Sequence, residues 1–111
     1  MRRAMSRDRL FLLDRDYADP ALGGVRRFYC KDCMTVEGVL AAFPERAANI
    51  EVVRVPWPRP RGPVVEALGE ENQNLPALVW ENHDGSIGFA NEIEPLLAAL
   101  AGCHGFPERH P

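Results

Sequence analysis

Residues 29–33 read Tyr29-Cys30-Lys31-Asp32-Cys33, and the residues that follow have the apolar spacing of an amphipathic helix. Positions i, i+3, i+4 and i+7 of this stretch are Val36, Val39, Leu40 and Phe43, which lie on one face of a helix. Pro44 marks the end of the helix or the turn after it. The sequence therefore predicts a helix over residues 33–43, with a Cys-x-x-Cys pair at its amino-terminal end.

A predicted strand lies on each side of this helix in the sequence. Residues 9–13, Arg9-Leu10-Phe11-Leu12-Leu13, form an apolar run that is short for a helix and suits a buried strand. Residues 50–55 are rich in β-branched side chains, which favour a second strand. Between the first strand and the cysteines, residues 14–29 show no periodicity and are predicted to be a long loop. This half of the chain can form a right-handed parallel β-α-β unit.

The second half of the chain predicts a short helix, a β-hairpin and a last helix. Residues 56–63 contain four prolines and predict a stiff, extended connection, followed by a helix over residues 64–68 that Gly69 caps. Strands are expected over residues 75–81 and 86–89, joined by a turn that contains Asp84-Gly85. Asn91 is predicted to cap a last helix, with Glu94 as its capping-box partner, and Gly102 is predicted to end it.

Composition restricts the chain to one domain and a few functional classes. We expect a single domain over residues 1–111, with frayed residues 1–8 and an irregular tail over residues 104–111. The net charge of −3 and the absence of a long basic run argue against a nucleic-acid partner. No apolar segment is long enough to span a membrane, and the start of the chain is a poor signal peptide. Three cysteines suit a cytoplasmic protein with reduced thiols better than a disulfide scaffold.

The element order β-α-β-α-β-β-α, with Cys30-Lys31-Asp32-Cys33 before the first helix and Leu75-Pro76 before the third strand, resembles the thioredoxin-like fold. The stretches at residues 75–79, 84–85 and 90–93 are similar to the glutaredoxin and glutathione-transferase version of that fold. The whole chain is also similar to a small thioredoxin-like family of unknown function, through residues 27–30, 56–61, 69–73 and 104–107. The resemblance implies an α/β fold with a mixed four-stranded sheet and helices on both faces.

The resemblance also implies a role for particular residues. It places a cis-proline at Pro76, which would present the backbone of Leu75 to a substrate. In the glutaredoxin-like families, the loop before that proline and the start of the last helix together hold glutathione. Tyr29 stands where glutaredoxins often carry tyrosine, so the expected substrate or glutathione site comprises Tyr29, Leu75, Pro76, Asn91 and Glu92. A cap at Asn91 also leaves the amides of Glu92 and Ile93 free to bind a carboxylate.

Cys30 and Cys33 are the candidate catalytic residues. The unpaired N–H groups and positive partial charge of a helix amino terminus stabilise a thiolate, and only the thiolate attacks a disulfide. Cys30, the outer residue, is the expected nucleophile, and Cys33 would resolve the mixed disulfide. The predicted function is a thiol-disulfide oxidoreductase of glutaredoxin or thioredoxin type. It requires no cofactor, and its candidate partners are a protein disulfide or a glutathione mixed disulfide.

Other interpretations of the same residues stay open at this point. The two cysteines also suit a non-catalytic binding module, in which they pack as small hydrophobic side chains. Arg59 and Arg61, beside Trp57, could clamp the carboxylate of a substrate or lie in a solvated loop. The adjacent Cys103 and His104 could join the cysteine pair in a zinc site, although two exposed side chains are the simpler interpretation. His83 is predicted to be exposed in its turn, and the oligomeric state is open.

Overall fold

The computed structural model describes residues 7–111, which form an α/β structure around one mixed four-stranded sheet. Along the chain, its strands and helices are β1 (Asp8–Leu13), β2 (Tyr17–Ala18), β3 (Arg27–Phe28), α1 (Lys31–Ala42), α2 (Pro44–Ala47), β4 (Ile50–Val55), α3 (Gly62–Leu68), β5 (Ala77–Glu81), β6 (Ile87–Ala90) and α4 (Ile93–His104).

The order of the strands in the main sheet is β4-β1-β5-β6. Strands β1 and β4 are parallel, and the helical connection through α1 joins them, as the sequence predicted. Strand β5 is antiparallel to both β1 and β6. The register pairs Leu13 with Val55 and Leu78 with Ala90, and Ala77 lies opposite Phe11. The last residues of β1, β4 and β6 and the first residue of β5 therefore lie at one end of the sheet, which we call the Leu13 end.

Helices cover both faces of this sheet. On one face, Leu10, Leu12 and Leu78 share a buried cluster with residues of α1 and α4. On the other face, Phe11, Ala77 and Val79 pack with Val64 of α3. The alternation of faces along β1 is the expected consequence of the two-residue period of a strand. Helices α3 and α4 each follow a strand that ends at the Leu13 end, and the backbone of Leu13 bonds to Cys33 in the first turn of α1, so the amino termini of all three helices lie at this end.

The region predicted as a long loop, residues 14–29, contains a small hairpin. Strands β2 and β3 pair antiparallel, Tyr17 with Phe28 and Ala18 with Arg27. A single 3₁₀ turn, Pro20–Leu22, lies between them, and the Asp19 side chain caps this turn by accepting the N–H of Ala21 at 2.9 Å. Strands of two residues are too short to show a period-two pattern, so they could not be predicted from the sequence.

The amino-terminal boundary of the sheet differs from the prediction. Strand β1 begins at Asp8, which is only 3% exposed, so the expected fraying does not extend to this residue. The rest of the predicted frayed segment, residues 1–6, lies outside the described residues. A strand start one residue earlier than expected follows from pairing, because Asp8 lies opposite Ile50 in the parallel ladder.

Helix α4 is shifted relative to the prediction at both of its ends. It begins at Ile93 with Glu92 as its N-cap, so the prediction of Asn91 as the cap is wrong. It continues through Gly102 to His104 and ends at Gly105, whose φ of 73° is the left-handed conformation that glycine adopts easily. The tail is therefore irregular only from Gly105, and Phe106 in it is buried against Phe43.

No helix among residues 7–111 combines the length and the apolar composition that crossing a membrane requires.

Candidate functional site

The two cysteines occupy the first turn of α1 at the Leu13 end of the sheet. Helix α1 begins at Lys31, two residues earlier than predicted, so Cys30 is its N-cap and Cys33 lies within its first turn. The Sγ of Cys30 accepts the backbone N–H of Cys33, with 3.2 Å between sulfur and nitrogen. Cys30 therefore makes the bond that a serine or aspartate N-cap makes, and its sulfur lies beside the free amide groups of the helix.

The two thiols differ in exposure. Cys30 is partly exposed, whereas Cys33 is completely buried in the cluster between the sheet and helices α1 and α4. Both are free thiols. A substrate can therefore reach Cys30 but not Cys33.

The electrostatic environment separates the two thiols further. The pKa of Cys30 is lowered to about 6, chiefly because the Cys33 thiol donates a hydrogen bond to its thiolate. The backbone N–H groups of Cys33 and Asp32 lower the pKa of Cys30 as well, while partial burial and the Asp32 carboxylate raise it. The same thiol-thiol bond, together with burial, holds the pKa of Cys33 far above the usual range, against a hydrogen bond from the backbone of Leu13. The arrangement thus favours one thiolate, on Cys30, and one protonated thiol, on Cys33.

An aromatic stack forms a wall next to the cysteines. The ring of Tyr17 lies parallel to that of Trp57, with 4.7 Å between centroids and 4° between planes. The guanidinium of Arg61 lies 5.1 Å from the centroid of the Trp57 ring. Burial raises the pKa of Tyr17, and the negative charge of Cys30 raises it further. Sequence reasoning missed Tyr17 because it lies in β2, and an isolated tyrosine in an aperiodic segment gave no signal.

The two arginines that the sequence offered as an anion clamp are engaged with the protein itself. Arg61 is buried and donates to the carbonyl oxygens of Trp57 and Gln73. Arg59 donates to the Oδ1 of Asn74 at 3.2 Å. The clamp therefore does not form in this arrangement, because the guanidinium of Arg61 points at backbone carbonyls instead of solvent.

The residues expected to bind a substrate or glutathione also lie at the Leu13 end. The peptide bond between Leu75 and Pro76 is cis, as the resemblance implied, and Pro76 is completely buried just before β5. Asn91 and Glu92 lie between the end of β6 and the start of α4. Although Asn91 is not the cap, the sheet register still brings this segment to the end of the sheet that carries Cys33 and Leu13.

Tyr29 has a different environment from these residues, since its side chain is 66% exposed. It lines an open groove of about 490 Å³ beside the start of α1, together with Arg15, Asp16, Arg27, Phe28 and Met34. Two of its lining residues, Tyr29 and Met34, are the residue before Cys30 and the residue after Cys33. Tyr29 is therefore part of a surface around the exposed thiol, and its ring is not packed on the core.

The zinc alternative finds no support among residues 7–111, where no group of three or more His, Cys, Asp and Glu side chains could hold a metal ion. The Nε2 of His104 lies 2.6 Å from the Oδ2 of Asp8, and both side chains are buried. Cys103 is exposed at the other end of α4 from the cysteine pair, because α4 starts at the Leu13 end. His83 is exposed in its turn, as predicted.

A family model described as a protein of unknown function, DUF3088, matches residues 7–108. The chain belongs to the DUF3088 family. Comparisons with curated proteins and with solved structures gave no significant match. For this member of DUF3088, an account of function therefore depends on the chemistry of its own residues. Among the described residues, the Cys30–Cys33 pair is the group whose burial, hydrogen bonds and pKa values differ most from those of ordinary surface side chains.

Proposed function

We propose that this DUF3088 protein is a thiol-disulfide oxidoreductase with a thioredoxin-like fold, in which Cys30 attacks and Cys33 resolves. The observation that carries the proposal is the position of the pair at the start of α1, where the partly exposed Cys30 sulfur accepts the N–H of Cys33 and the Cys33 side chain is buried behind it. The opposite directions of the two thiol pKa shifts agree with this arrangement. The proposed thioredoxin-like fold is supported by the strand order β4-β1-β5-β6, in which β4 and β1 are parallel. It is also supported by the position of the cysteine pair at the amino terminus of α1.

The first step is a thiol-disulfide exchange at the exposed sulfur. The Cys30 thiolate attacks one sulfur of a substrate disulfide, so a new S–S bond forms as the substrate S–S bond breaks. The departing sulfur leaves as a thiolate and takes a proton from solvent. Because a pKa near 6 keeps most of Cys30 deprotonated at neutral pH, the attacking species is present without a separate base.

The second step uses the buried thiol. Once Cys30 is in the mixed disulfide, its negative charge is gone, and with it the main cause that raises the pKa of Cys33. Cys33 then loses its proton and attacks the Sγ of Cys30, which releases the second substrate sulfur as a thiol. The substrate gains two electrons, and the protein is left with a Cys30–Cys33 disulfide. Two molecules of an external thiol, such as glutathione, then supply one electron each to restore the dithiol, and they leave joined as a disulfide.

The substrate class follows from which thiol is accessible. Of the pair, only Cys30 is partly exposed, and the residue before it lines the open groove, so a protein disulfide or a glutathione mixed disulfide can approach it. Leu75, Pro76, Asn91 and Glu92 are the residues we propose to contact that substrate. Because the reduced form has to be regenerated, we propose that the protein works in a reducing compartment such as the cytoplasm.

The test is a redox titration of the purified protein in glutathione buffers of graded ratio, with alkylation of free thiols and mass spectrometry. We expect Cys30 and Cys33 to pair with a midpoint between roughly −270 and −180 mV. Cys103→Ser should leave the midpoint unchanged, and Cys30→Ser should abolish pairing. A Cys30–Cys33 dithiol that stays reduced over the whole range would refute the oxidoreductase and leave a binding module as the function of the fold.

A further inference from the structure

Arg61 is a buried cation without a carboxylate partner. Only 4% of the surface of Arg61 is exposed to solvent. Its Nε and Nη2 atoms donate to the carbonyl oxygen of Trp57 at 3.0 and 2.9 Å, and Nη1 donates to that of Gln73 at 2.8 Å. Among residues 7–111, no carboxylate oxygen lies within 4.0 Å of its guanidinium. Its charge is thus held in place by neutral dipoles and remains available to a nearby anion.

The fold places this cation close to the cysteine pair. Arg61 precedes α3, whose amino terminus lies at the Leu13 end, as does that of α1. Its guanidinium lies over the Trp57 ring, and Trp57 stacks on Tyr17, while Cys30, Tyr17 and Trp57 all pack against the cluster that contains Cys33. Arg61 also interacts electrostatically with Tyr17, Cys33 and Cys30, and each of these three interactions favours its charged form.

We propose that Arg61 is a positioning residue that stabilises the Cys30 thiolate with a fixed, buried positive charge. A guanidinium cannot lose its proton in a protein, so the charge persists at every pH at which the thiol titrates. Its planar fork can bridge two carbonyl oxygens, which an ammonium group cannot do in the same geometry. The low dielectric of a buried site strengthens the interaction compared with that of an exposed cation.

Other titratable groups around Cys30 also affect its pKa. Asp32 on α1 opposes the thiolate, and the Cys33 thiol supports it. Other charged or titratable side chains near this end of the sheet include Tyr17, the cations Lys31 and Arg59, and the carboxylates of Asp14, Asp19 and Glu92. Of the cations, Lys31 and Arg59 are exposed and Arg61 is buried, so Arg61 is the one that solvent screens least.

The test compares Arg61→Met with Arg59→Met, which removes the same charge from an exposed site two residues earlier in the proline-rich segment. Both are made in a Cys103→Ser background, and the pKa of Cys30 is read from the ultraviolet absorbance of its thiolate against pH. We expect Arg61→Met to raise the pKa of Cys30 by about 0.5, which is less than the effect of losing the Cys33 hydrogen bond, and Arg59→Met to raise it by less than about 0.2. Equal pKa values for Arg61→Met and the parent protein would overturn the proposal.

Arg61→Lys separates charge from packing. It keeps a cation but loses the bridge between two carbonyls, so we expect a lower melting temperature and a pKa of Cys30 within about 0.3 of the parent value. A purely structural role for Arg61 predicts that both variants are less stable and that neither of them changes the pKa of Cys30. The two roles therefore differ in the pKa of Cys30 in Arg61→Met.

A measurement on the unsubstituted protein keeps the proposal testable if the Arg61 variants do not fold. Because salt screens buried charges weakly, the pKa of Cys30 should rise by less than about 0.3 between low salt and 1 M salt. A return to the ordinary thiol range in 1 M salt would assign the stabilisation to exposed cations.

This inference rests on the proposed function only in taking Cys30 as the reacting thiol, and the two can fail separately. The redox titration asks whether Cys30 and Cys33 form a disulfide, whereas the Arg61 series measures a pKa without any turnover. If the pKa of Cys30 depends on Arg61 but Cys30 and Cys33 never form a disulfide, only the oxidoreductase proposal is refuted. A normal redox midpoint with no effect of Arg61→Met on the pKa would sink the role of Arg61 alone.

Discussion

Replacing Cys33 with alanine should raise the pKa of Cys30, because the largest contribution to the low value is the hydrogen bond from the Cys33 thiol. A hydrogen bond to a charged group contributes about 1.5–3 kcal/mol, and one pH unit corresponds to about 1.36 kcal/mol. The pKa of Cys30 should therefore rise from about 6 by roughly one to two units. The backbone N–H bonds to its sulfur remain, so a full return to the ordinary value is not expected.

The consequence is a large loss of thiolate at neutral pH. With a pKa of about 6, about nine-tenths of Cys30 is ionised at pH 7. In Cys33→Ala that fraction should fall to between about a half and a tenth. A thiolate of higher pKa is also intrinsically more nucleophilic, which offsets part of the lost reaction rate. The midpoint of the pH profile, and not the rate at a single pH, is therefore the quantity to compare.

The assay is the rate of iodoacetamide alkylation of Cys30 against pH, followed by mass spectrometry in a Cys103→Ser background. Cys33→Ser is the matched control, because its hydroxyl can still donate a hydrogen bond and should raise the midpoint less than alanine does. Identical midpoints for Cys33→Ala and the parent protein would refute the reasoning, as would a parent midpoint near the ordinary thiol value of about 8.5.

The same titration has a signature in stability. The folded-state pKa of Cys30 is depressed, so its contribution to stability is complete above the unfolded-state thiol pKa and is lost as pH falls through about 6. The free energy of unfolding of the reduced protein should therefore rise between about pH 6 and pH 8.5. The pKa of Cys33 is raised, so the stability that this thiol contributes is lost as pH rises above the ordinary thiol range. The free energy of unfolding should therefore fall again at higher pH. Chemical denaturation at several pH values checks this, and Cys30→Ser should flatten the rise.

His104→Ala should destabilise the protein by about 1–3 kcal/mol, because it removes the hydrogen bond of 2.6 Å between Nε2 and the Oδ2 of buried Asp8. Urea unfolding measures the loss, and an unchanged free energy of unfolding would contradict this prediction. Gly88→Ala should cost about 1–3 kcal/mol, because a Cβ there would lie 2.2 Å from the indole nitrogen of Trp80. Gly102→Ala is its control, since a Cβ at Gly102 in α4 meets nothing within 4 Å and should stabilise the helix by about 0.5–1 kcal/mol.

The elements with a strong local pattern were predictable from the sequence. The apolar face of α1 proved to be buried at Val36 and Leu40, and the β-branched run of β4 has the predicted bounds, Ile50–Val55. The hairpin of β5 and β6 followed from Asp84-Gly85, where Gly85 has a φ of 86°. In each case, the structure is determined by a hydrophobic periodicity or a turn residue within a few positions of sequence, so these elements could be predicted from the sequence alone.

What the sequence could not supply depends on contacts between distant segments. The pairing of Tyr17 with Phe28 forms a sheet from strands of two residues, and the Tyr17–Trp57 stack joins β2 to the proline-rich segment. The burial of Asp8 against His104 joins opposite ends of the chain. The predicted cap of α4 was wrong by one residue, because the helix takes as its N-cap Glu92, a residue type that N-cap preferences do not favour and that makes no side-chain cap hydrogen bond.

The spacing of the two cysteines explains why one local feature serves both folding and chemistry. At an N-cap, the side chain accepts the N–H of the residue three positions on, and here that residue is the second cysteine of the pair. The same spacing lets the Cys30 sulfur accept the backbone N–H of Cys33 and the hydrogen bond of the Cys33 thiol. The helix cap and the thiol-thiol hydrogen bond therefore depend on the same two residues. Serine is a preferred N-cap and alanine is not. Cys30→Ser should consequently keep α1 while removing the thiolate, which makes it the variant that distinguishes lost chemistry from lost structure.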